Sequence, residues 1–329
     1  MTTPPEQNMG TQRKGIFASP VCWIVLILLL AAALRVFGVI RISPPGLEHD
    51  EVANWLIDRA ILEGNHAIYF AQAYGHEAGF HYLQAISVAL LGDNALALRL
   101  PAVYAGIVLV AVHFALMRRV FNVKLALLST MILAVLFWPV FYSRLGLRAI
   151  LLPLVSGISL VCWWKAWDLG NAGAVVEDSL KPSRISQTSI FWFGLAGVFA
   201  GLTLYTYMAA RAVPIFYGMF VLYLALFHWS VVKRQWRGML LFGLLLVIVA
   251  APLGIYLQAN PGAEFRVTEI DAPLRALAAG NLRPSLENSL KILGMFGFMG
   301  DPLWRQNVAG RPVFGPLLAI LFYIGLVLA

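Results

Sequence analysis

Long apolar runs separated by short polar segments dominate the pattern along the chain. A helix that crosses a membrane needs about 20 mostly apolar residues. Runs that meet or approach this length predict spans at residues 20–40, 100–117, 125–142, 149–167, 190–208, 212–230, 239–257 and 313–329. The pattern therefore predicts an all-α integral membrane protein, a polytopic bundle of about eight transmembrane helices.

Two shorter helices are predicted in the mixed, acidic segment 41–98, between the first two spans. Residues 79–92 are apolar but too few to cross a bilayer, which favours an interfacial or re-entrant helix. Residues 51–63 predict an amphipathic helix that Gly64 ends, with Asp50 as its N-cap. Its apolar face is predicted to consist of Val52, Trp55, Leu56 and Ala60.

Composition agrees with the membrane assignment. The chain is 60% hydrophobic and 12% charged, whereas soluble domains average about 25% charged residues. The net charge of +8 does not indicate nucleic acid, because the Lys and Arg residues form short clusters between apolar runs. Cys22 and Cys162 both lie in such runs, so neither a disulfide framework nor a zinc site is predicted.

The positive clusters predict the orientation of the chain. Cationic residues concentrate in residues 13–14, 118–124, 165–184 and 233–237, which the positive-inside rule places in the cytoplasm. We therefore expect a cytoplasmic tail at 1–19, a membrane module at 20–329, a first outer loop at 41–98 and a last outer loop at 258–312. Because the sequence stops within an apolar run, we also expect that a C-terminal part is missing.

Four adjacent polar residues follow the first span: Glu48, His49, Asp50 and Glu51. Asp50 as a helix cap and Glu51 as a partner of the helix dipole account for two of them. Four such groups beside a membrane equally indicate a functional site, because ionisable groups are costly there. The residues alone leave both interpretations open.

The motifs around these acids resemble the GT-C membrane glycosyltransferases. PPGLEHDEVANW, GHEAGFHYLQAISVALLGDNALALRLPAVYAG, FYSRLGLRAILLP, LYTYMAARAVP and GDPLWRQNVAGRPVFGPLLAILFYIGL are similar to protein O-mannosyltransferases and aminoarabinose transferases, over nearly all of 20–329. Ala78-Gly79 stands where that group usually has proline before an aromatic pair. The resemblance implies a GT-C fold with a catalytic Asp at position 50, in the Asp50-Glu51 pair.

The resemblance also implies a reaction. Such enzymes move a sugar from a polyprenyl-phosphate lipid to an acceptor hydroxyl, and a carboxylate accepts the hydroxyl proton. We therefore expect an inverting glycosyltransferase with Asp50 as general base and Glu51 as its orienting neighbour. The expected partners are a polyprenyl-phosphate sugar, membrane lipids and a hydroxyl acceptor on a protein or a cell-envelope glycan or lipid, without nucleic acid.

Further candidates lie at predicted outer ends of spans. Arg144 and Arg148, and then Tyr205, Tyr207 and Arg211, are candidate contacts of the donor phosphate, because Arg suits phosphate best. The alternative is that they are ordinary interfacial side chains. Glu77 could line the site.

A metal is optional in this scheme. Asp50 and Glu77 could hold Mg²⁺ or Mn²⁺. The segment HEAGFH is one residue too long for a helical zinc pair, so His76 and His81 are predicted to be interfacial side chains.

Other functions remain as alternatives. A multi-span transporter or lipid-binding protein without transferase activity would place ionisable groups at mid-membrane, often on broken helices. A non-catalytic scaffold would leave the acidic side chains of this loop exposed to water without a shared site. In this chain the charged residues lie mostly near the ends of predicted spans, which favours a surface site. The expected location is the plasma (inner) membrane, with a cytoplasmic N-terminus and the active site on the outer face.

Overall fold

The structure, a computed structural model, describes residues 19–41, 47–175, 187–264, 271–304 and 307–328. The predicted tail 1–19 lies almost entirely outside these residues. Within them the chain is helical apart from turns and a two-stranded antiparallel ribbon, β1 (Tyr69–Phe70) and β2 (His76–Glu77). In the described part of the chain, short 3₁₀ turns are found at Gln72–Tyr74, Arg148–Ile150 and Met208–Arg211.

The α-helices of the described residues are numbered in chain order. They are α1 (Pro20–Val36), α2 (His49–Leu62), α3 (Ala78–Leu91), α4 (Ala95–Val120), α5 (Val123–Val135), α6 (Phe137–Arg144), α7 (Leu151–Val175), α8 (Gln187–Thr203), α9 (Ala212–Phe227), α10 (Trp229–Ala259), α11 (Ala272–Ala278), α12 (Arg283–Gly294) and α13 (Pro316–Leu328). The prediction of an all-α polytopic protein is confirmed.

Each predicted span coincides with an apolar helix. Within the described ranges, four helical segments are long and apolar enough to cross a membrane, and the bent pair α5–α6 makes a fifth crossing if counted as one span. The remaining three predicted spans correspond to α1 and α8, of 17 residues each, and α13, of 13 residues. These three are shorter than a full crossing.

The span predicted at 125–142 is broken. Helices α5 and α6 meet at a bend of 52°, at Leu136, whose ψ of 137° is extended rather than helical. Pro139 follows three residues later, and it lacks the N–H that would have extended the backbone ladder. The bend brings α6 and the following residues beside α2, α3 and α4, where the acidic cluster lies.

Helices α7 to α10 enclose an aromatic core. The fully buried Trp163 ring lies 5.0 Å from the Phe193 ring and 4.8 Å from the Phe242 ring, centroid to centroid. Gly197 and Gly201 let α8 approach α10 closely, because a Cβ on Gly197 would lie 2.3 Å from the carbonyl oxygen of Phe242. Small residues four positions apart on one helix allow this close packing of two helices.

Polar contacts join the predicted inner loops at one end of the bundle and the predicted outer loops at the other end. At one end Arg119 pairs with Asp168 at 2.9 Å, and Gln235 donates to Asn171 at 3.0 Å. At the other end the segment around Glu77 meets Arg211 and Glu264, and Trp138 donates to Asn307 at 3.1 Å. The segments predicted as inner loops thus meet one another, and so do those predicted as outer loops.

Candidate active site

A capping box starts α2, and the residue that caps it is Glu48. The Glu48 carboxylate accepts from the backbone N–H of Asp50 at 2.8 Å, and the Glu51 carboxylate accepts from the backbone N–H of Glu48 at 3.0 Å. The prediction that Asp50 is the N-cap is therefore wrong, because the helix begins one residue before it, at His49. The predicted end of the helix at Gly64 is confirmed, since Gly64 follows the C-cap with φ +99°.

The Asp50 side chain is left for another role. It is 46% exposed, and its carboxylate meets His49 Nδ1 at 3.3 Å, a neighbour that is itself 76% exposed. Its position in the first turn of α2 puts the carboxylate at the positive end of the helix dipole. Capping no longer explains this carboxylate.

The inward face of α2 carries polar side chains, which the sequence does not predict. Glu51, Asn54 and Asp58 are buried together with Ile57 and Ile61. Val52 and Leu56, two members of the predicted apolar face, are exposed. Exposed apolar side chains suit a helix that lies at a membrane interface, as predicted for α2, while its buried side forms ionic and hydrogen-bonded contacts.

Glu51 is a fully buried hub that joins several segments. Its two carboxylate oxygens accept from Arg99 Nε and Nη2, both at 2.7 Å, which is a bidentate ion pair. The same carboxylate accepts from the backbone N–H of Gly146 at 2.8 Å. Arg99 also donates to the carbonyl of Val39 at 2.7 Å. The hub therefore fixes α2, which carries Asp50, against α4, the end of α1 and the loop after α6.

The loop at Gly146 fits only because that residue lacks a side chain. A Cβ there would lie 2.9 Å from Gln84 Nε2 and 3.0 Å from the carbonyl oxygen of Leu98. The Gly146 carbonyl accepts from Asn54 at 2.7 Å and from Gln84 at 3.1 Å. Both backbone groups of Gly146 are thus matched with partners beside Glu51, as burial in a low-dielectric site requires.

A second cluster surrounds Glu77. This buried carboxylate lies 3.4 Å from Arg148 Nε and 3.9 Å from Arg211 Nη1. Arg211 also pairs with Glu264 from the end of the α10 segment. The cluster joins two cations and two carboxylates. Arg148 is buried, whereas the Arg211 side chain is 37% exposed and can reach a ligand.

Tyr207 contacts the Glu77 cluster through Arg148. The Arg148 guanidinium lies over the Tyr207 ring, 5.6 Å from its centroid. The face of an aromatic ring attracts a cation, so Tyr207 helps to hold Arg148 beside Glu77.

Two predicted phosphate contacts have other partners in the structure. The Arg144 guanidinium donates to the carbonyls of Leu34 and Phe37, at 2.7 and 2.8 Å, and so caps the end of α1. Tyr205 donates its hydroxyl to the carbonyl of Val249 at 2.7 Å, and its own carbonyl accepts from Gly79 at 2.8 Å. Both predictions remain without support from this geometry.

Glu77 is balanced by arginine in this arrangement, and Asp50 lies apart from it. Among the described ranges, no three His, Cys, Asp or Glu side chains are grouped so that they could hold a metal ion. A divalent cation at Asp50 or Glu77 remains a prediction that these contacts do not support.

Comparison with known proteins addresses the family. Residues 76–175 match the family model of dolichyl-phosphate-mannose-protein mannosyltransferase. The fold is similar to that of AglB, the oligosaccharyltransferase of Archaeoglobus fulgidus, in its apo form (TM-score 0.54, 13% identity, 92% of this chain) and in its complex with an inhibitory peptide and a dolichol-phosphate (TM-score 0.53, 14% identity, 94% of this chain). The chain has the GT-C fold. It covers 36% of the length of AglB in both structures. No curated protein sequence matches the chain.

The GT-C fold confirms the resemblance inferred from the sequence motifs, and the chain is an integral membrane protein. The matched residues 76–175 begin at β2, beside Glu77, and include Arg99 and the Gly146–Arg148 loop. They therefore contain most partners of the two clusters. Asp50 and Glu51 lie before the matched segment, so their roles rest on geometry.

A buried hydrogen-bonded chain lies behind the Glu77 cluster. Asp58, His81 and His76 follow one another, with 3.1 Å between Asp58 Oδ1 and His81 Nδ1 and 3.0 Å between His81 Nε2 and His76 Nδ1. The prediction that His76 and His81 are interfacial side chains is wrong, because both are buried. Asp58, on the unexpected inner face of α2, gives His81 its buried partner.

Burial sets the protonation of this chain. Burial raises the pKa of Asp58 to about 8. Burial, with the nearby Arg148 cation, lowers the pKa of His81 to about 3. At neutral pH Asp58 is therefore protonated and donates its O–H to His81 Nδ1, while His81 donates Nε2–H to His76.

This assignment predicts a pH dependence of stability. Asp58 keeps its proton in the folded state up to about pH 8, whereas the unfolded chain loses it near the ordinary pKa of 3.8. Between pH 4 and 6.5 the opposite shift of His81 cancels this effect, because there the unfolded histidine gains a proton that the folded one refuses. Between about pH 6.5 and 8 only Asp58 acts, and stability should fall by roughly 1.4 kcal/mol per pH unit.

An Asp58→Asn variant should remove this fall, because the amide still donates to His81 but does not titrate. The measurement is thermal unfolding in detergent from pH 6 to 9, followed by tryptophan fluorescence. Asp168→Asn, at the opposite end of the bundle, is the control that should keep the wild-type slope. Equal slopes for wild type and Asp58→Asn would contradict the assigned protonation.

The sequence missed several residues that shape the site. Arg99 and Arg35 are fully buried, and Arg35 bonds Ser143 at 3.2 Å and the carbonyl of Ala134 at 3.0 Å. Arg35 lies one residue before the end of α1. The available signal was an arginine inside an otherwise apolar helix, which demands a buried partner. For Arg99 the sequence does not identify the partner, because Glu51 lies 48 positions away.

Proposed function

We propose that this protein is a membrane glycosyltransferase that moves a sugar from a polyprenyl-phosphate donor to an acceptor hydroxyl. Asp50 is the general base. As the acceptor oxygen bonds to the anomeric carbon, its proton passes to the Asp50 carboxylate, and the bond from that carbon to the phosphate oxygen breaks. The phosphate leaves with the bonding electrons. A single displacement of this kind inverts the anomeric configuration.

One observation carries this proposal: Glu48, not Asp50, caps α2. A carboxylate that neither caps its helix nor has a buried cationic partner is held at a helix start, half exposed, by a buried ion pair one residue away. The Asp50 carboxylate is therefore held in a fixed place while it remains free to contact a substrate. Glu51 acts as a positioning residue, because it fixes α2 through Arg99 and Gly146.

Arg211 is the best candidate for the donor phosphate. It is part-exposed, and its pairing with the part-exposed Glu264 can be exchanged for a phosphate of the same charge sign. Arg148 also pairs with Glu77, and the Tyr207 ring lies against the Arg148 guanidinium. This arrangement favours the phosphate interpretation of Arg211 over ordinary interfacial anchoring, and it makes metal optional.

A hollow beside this cluster fits the lipid tail of the donor. It has a volume of about 530 Å³ and lies between the start of α3, the end of α8 and α10, with an apolar lining that includes Ala78, Leu202 and Val249. An isoprenoid chain needs such a surface. AglB has been solved with a dolichol-phosphate, which supports a lipid phosphate as the class of donor.

The proposed location follows from the two ends of the bundle. The end that carries Asp50 and Arg211 is the outer face of the plasma membrane, because the Lys and Arg clusters predicted to be cytoplasmic meet at the other end. The acceptor is a hydroxyl on a protein or a cell-envelope glycan or lipid. A transporter is less well supported, since the ion pairs described above lie at the two ends of the bundle rather than along a path through it.

An Arg211→Gln variant tests the phosphate contact. Loss of a charge-assisted hydrogen bond costs about 1.5–3 kcal/mol, so kcat/KM for a radiolabelled polyprenyl-phosphate sugar should fall roughly 10- to 100-fold. The assay uses the protein in proteoliposomes with an extract of cell-envelope acceptors. Arg275→Gln removes an exposed, ion-paired arginine at the same end and is the matched control. Equal kinetics for Arg211→Gln and wild type would contradict the contact.

A further inference from the structure

Helix α12 has an exposed apolar stripe. Leu282, Leu286, Leu290 and Leu293 follow at intervals of three or four residues from its N-cap onward, and all are exposed. Such spacing places them on one face of the helix. Arg283, Glu287 and Lys291 form a neighbouring charged line, in which Arg283 donates to Glu287 at 2.8 Å. The sequence predicts that this segment belongs to the last outer loop, residues 258–312.

A contact with α13 fixes the level of this stripe relative to the membrane. The Tyr323 hydroxyl donates to the carbonyl of Leu293, at the end of α12, at 2.7 Å. Tyr323 is seven residues beyond Pro316, the start of α13, which corresponds to about 10 Å along a helix. Residues 313–328 contain no charged side chain, and Leu317 in the first turn is 72% exposed.

The turn after α12 packs along the same two turns of α13. The Phe296 ring lies 4.6 Å from the Phe322 ring, and a Cβ on Gly297 would lie 2.8 Å from the side chain of Ala319. The Phe298 ring lies 5.7 Å from the Tyr323 ring, centroid to centroid, yet Phe298 and Met299 are 79% and 72% exposed. Large apolar side chains therefore surround the start of α13 at the level where that helix enters the bilayer.

We propose that α12 and the turn Met295–Met299 form a membrane-embedded wedge whose partner is bilayer lipid. The leucine stripe, Phe298 and Met299 contact acyl chains, while Arg283, Glu287 and Lys291 lie among the head groups. Lipid is the favoured occupant because the wedge is anchored to α13, an apolar helix with an exposed apolar first turn. The proposal is independent of the transferase activity.

Spin-label accessibility in vesicles of phosphatidylcholine and phosphatidylglycerol tests the wedge. Single cysteines at Leu290→Cys and Phe298→Cys are labelled in a Cys22→Ser background, in which Cys162 stays buried. Glu287→Cys, on the same helix, is the matched control, and Leu317→Cys marks α13. Labels at 290 and 298 should collide with oxygen far more than with a water-soluble nickel complex, as at 317. The ratio should be several-fold lower at 287.

Two outcomes would overturn the proposal. Labels at 290 and 298 that prefer the nickel complex as strongly as the label at 287 would place the wedge in water. Labels shielded from both reagents would show that protein covers the stripe, and dipolar broadening between labels would identify a second copy of this chain. Quenching of a fluorophore at position 290 by brominated acyl chains gives an independent measure of lipid contact.

Discussion

An Asp50→Asn variant should fold normally and lose nearly all sugar transfer. The amide keeps the size of the side chain but accepts no proton from the acceptor hydroxyl. General-base catalysis contributes about 100- to 10,000-fold to a rate, so kcat should fall by that order. The helix should be unaffected, because Glu48 provides its cap. The measurement is turnover of a radiolabelled polyprenyl-phosphate sugar, with thermal unfolding recorded on the same samples.

A second carboxylate provides the comparison. Asp271→Asn removes an acid that pairs with Arg275 at 2.9 Å in the same end of the bundle, away from the site, and should leave turnover unchanged. Donor binding to Asp50→Asn, measured by equilibrium binding of the lipid, should also stay near the wild-type value. Wild-type turnover by Asp50→Asn would remove Asp50 from the reaction, whereas lost donor binding would make it a binding residue instead.

Breaking the Glu51–Arg99 pair should be strongly destabilising. Both side chains are fully buried, and removal of one partner from a buried ion pair costs about 3–5 kcal/mol because the other charge stays uncompensated. An Arg99→Leu variant should therefore unfold at a clearly lower temperature in detergent. Its turnover should also fall, since α2 and Asp50 would lose their anchor.

The double variant Glu51→Gln/Arg99→Gln separates charge from packing. Because both charges are gone, it should be less destabilised than the sum of Glu51→Gln and Arg99→Gln. Arg119→Gln, which breaks a part-exposed pair with Asp168, should cost about 1 kcal/mol or less. Additive effects of the two buried substitutions would show that the two side chains stabilise the fold independently.

The helical architecture was predictable because apolar runs report directly on spans. The α2 helix shows where this reasoning stops. Its length was predicted within two residues, but its inner face was not, since a helix at a membrane surface can bury Glu51 and Asp58 and expose Leu56. Apolar periodicity finds the stripe but does not say whether protein or lipid covers it.

The site was predictable in its residue types and less so in its pairings. Arg144 and Arg148 are four positions apart and were treated alike, yet one caps α1 and the other meets Glu77. The 52° bend between α5 and α6, together with the loop after α6, directs these residues to different neighbours. Likewise Glu48 caps α2 although Asp is a preferred N-cap residue, so the choice depends on backbone geometry rather than on residue type.

Helix α2 buries polar side chains and exposes apolar ones, and this matters for any redesign of the protein for work without detergent. In a soluble protein the apolar face of an amphipathic helix is normally buried, so redesign keeps that face and changes residues on the polar face. Here the substitutions that increase solubility belong at Val52 and Leu56, which are exposed, whereas Asn54 and Asp58 must be kept as they are. Substitutions chosen from hydrophobicity on a helical wheel alone would remove the buried polar contacts and keep the exposed apolar side chains.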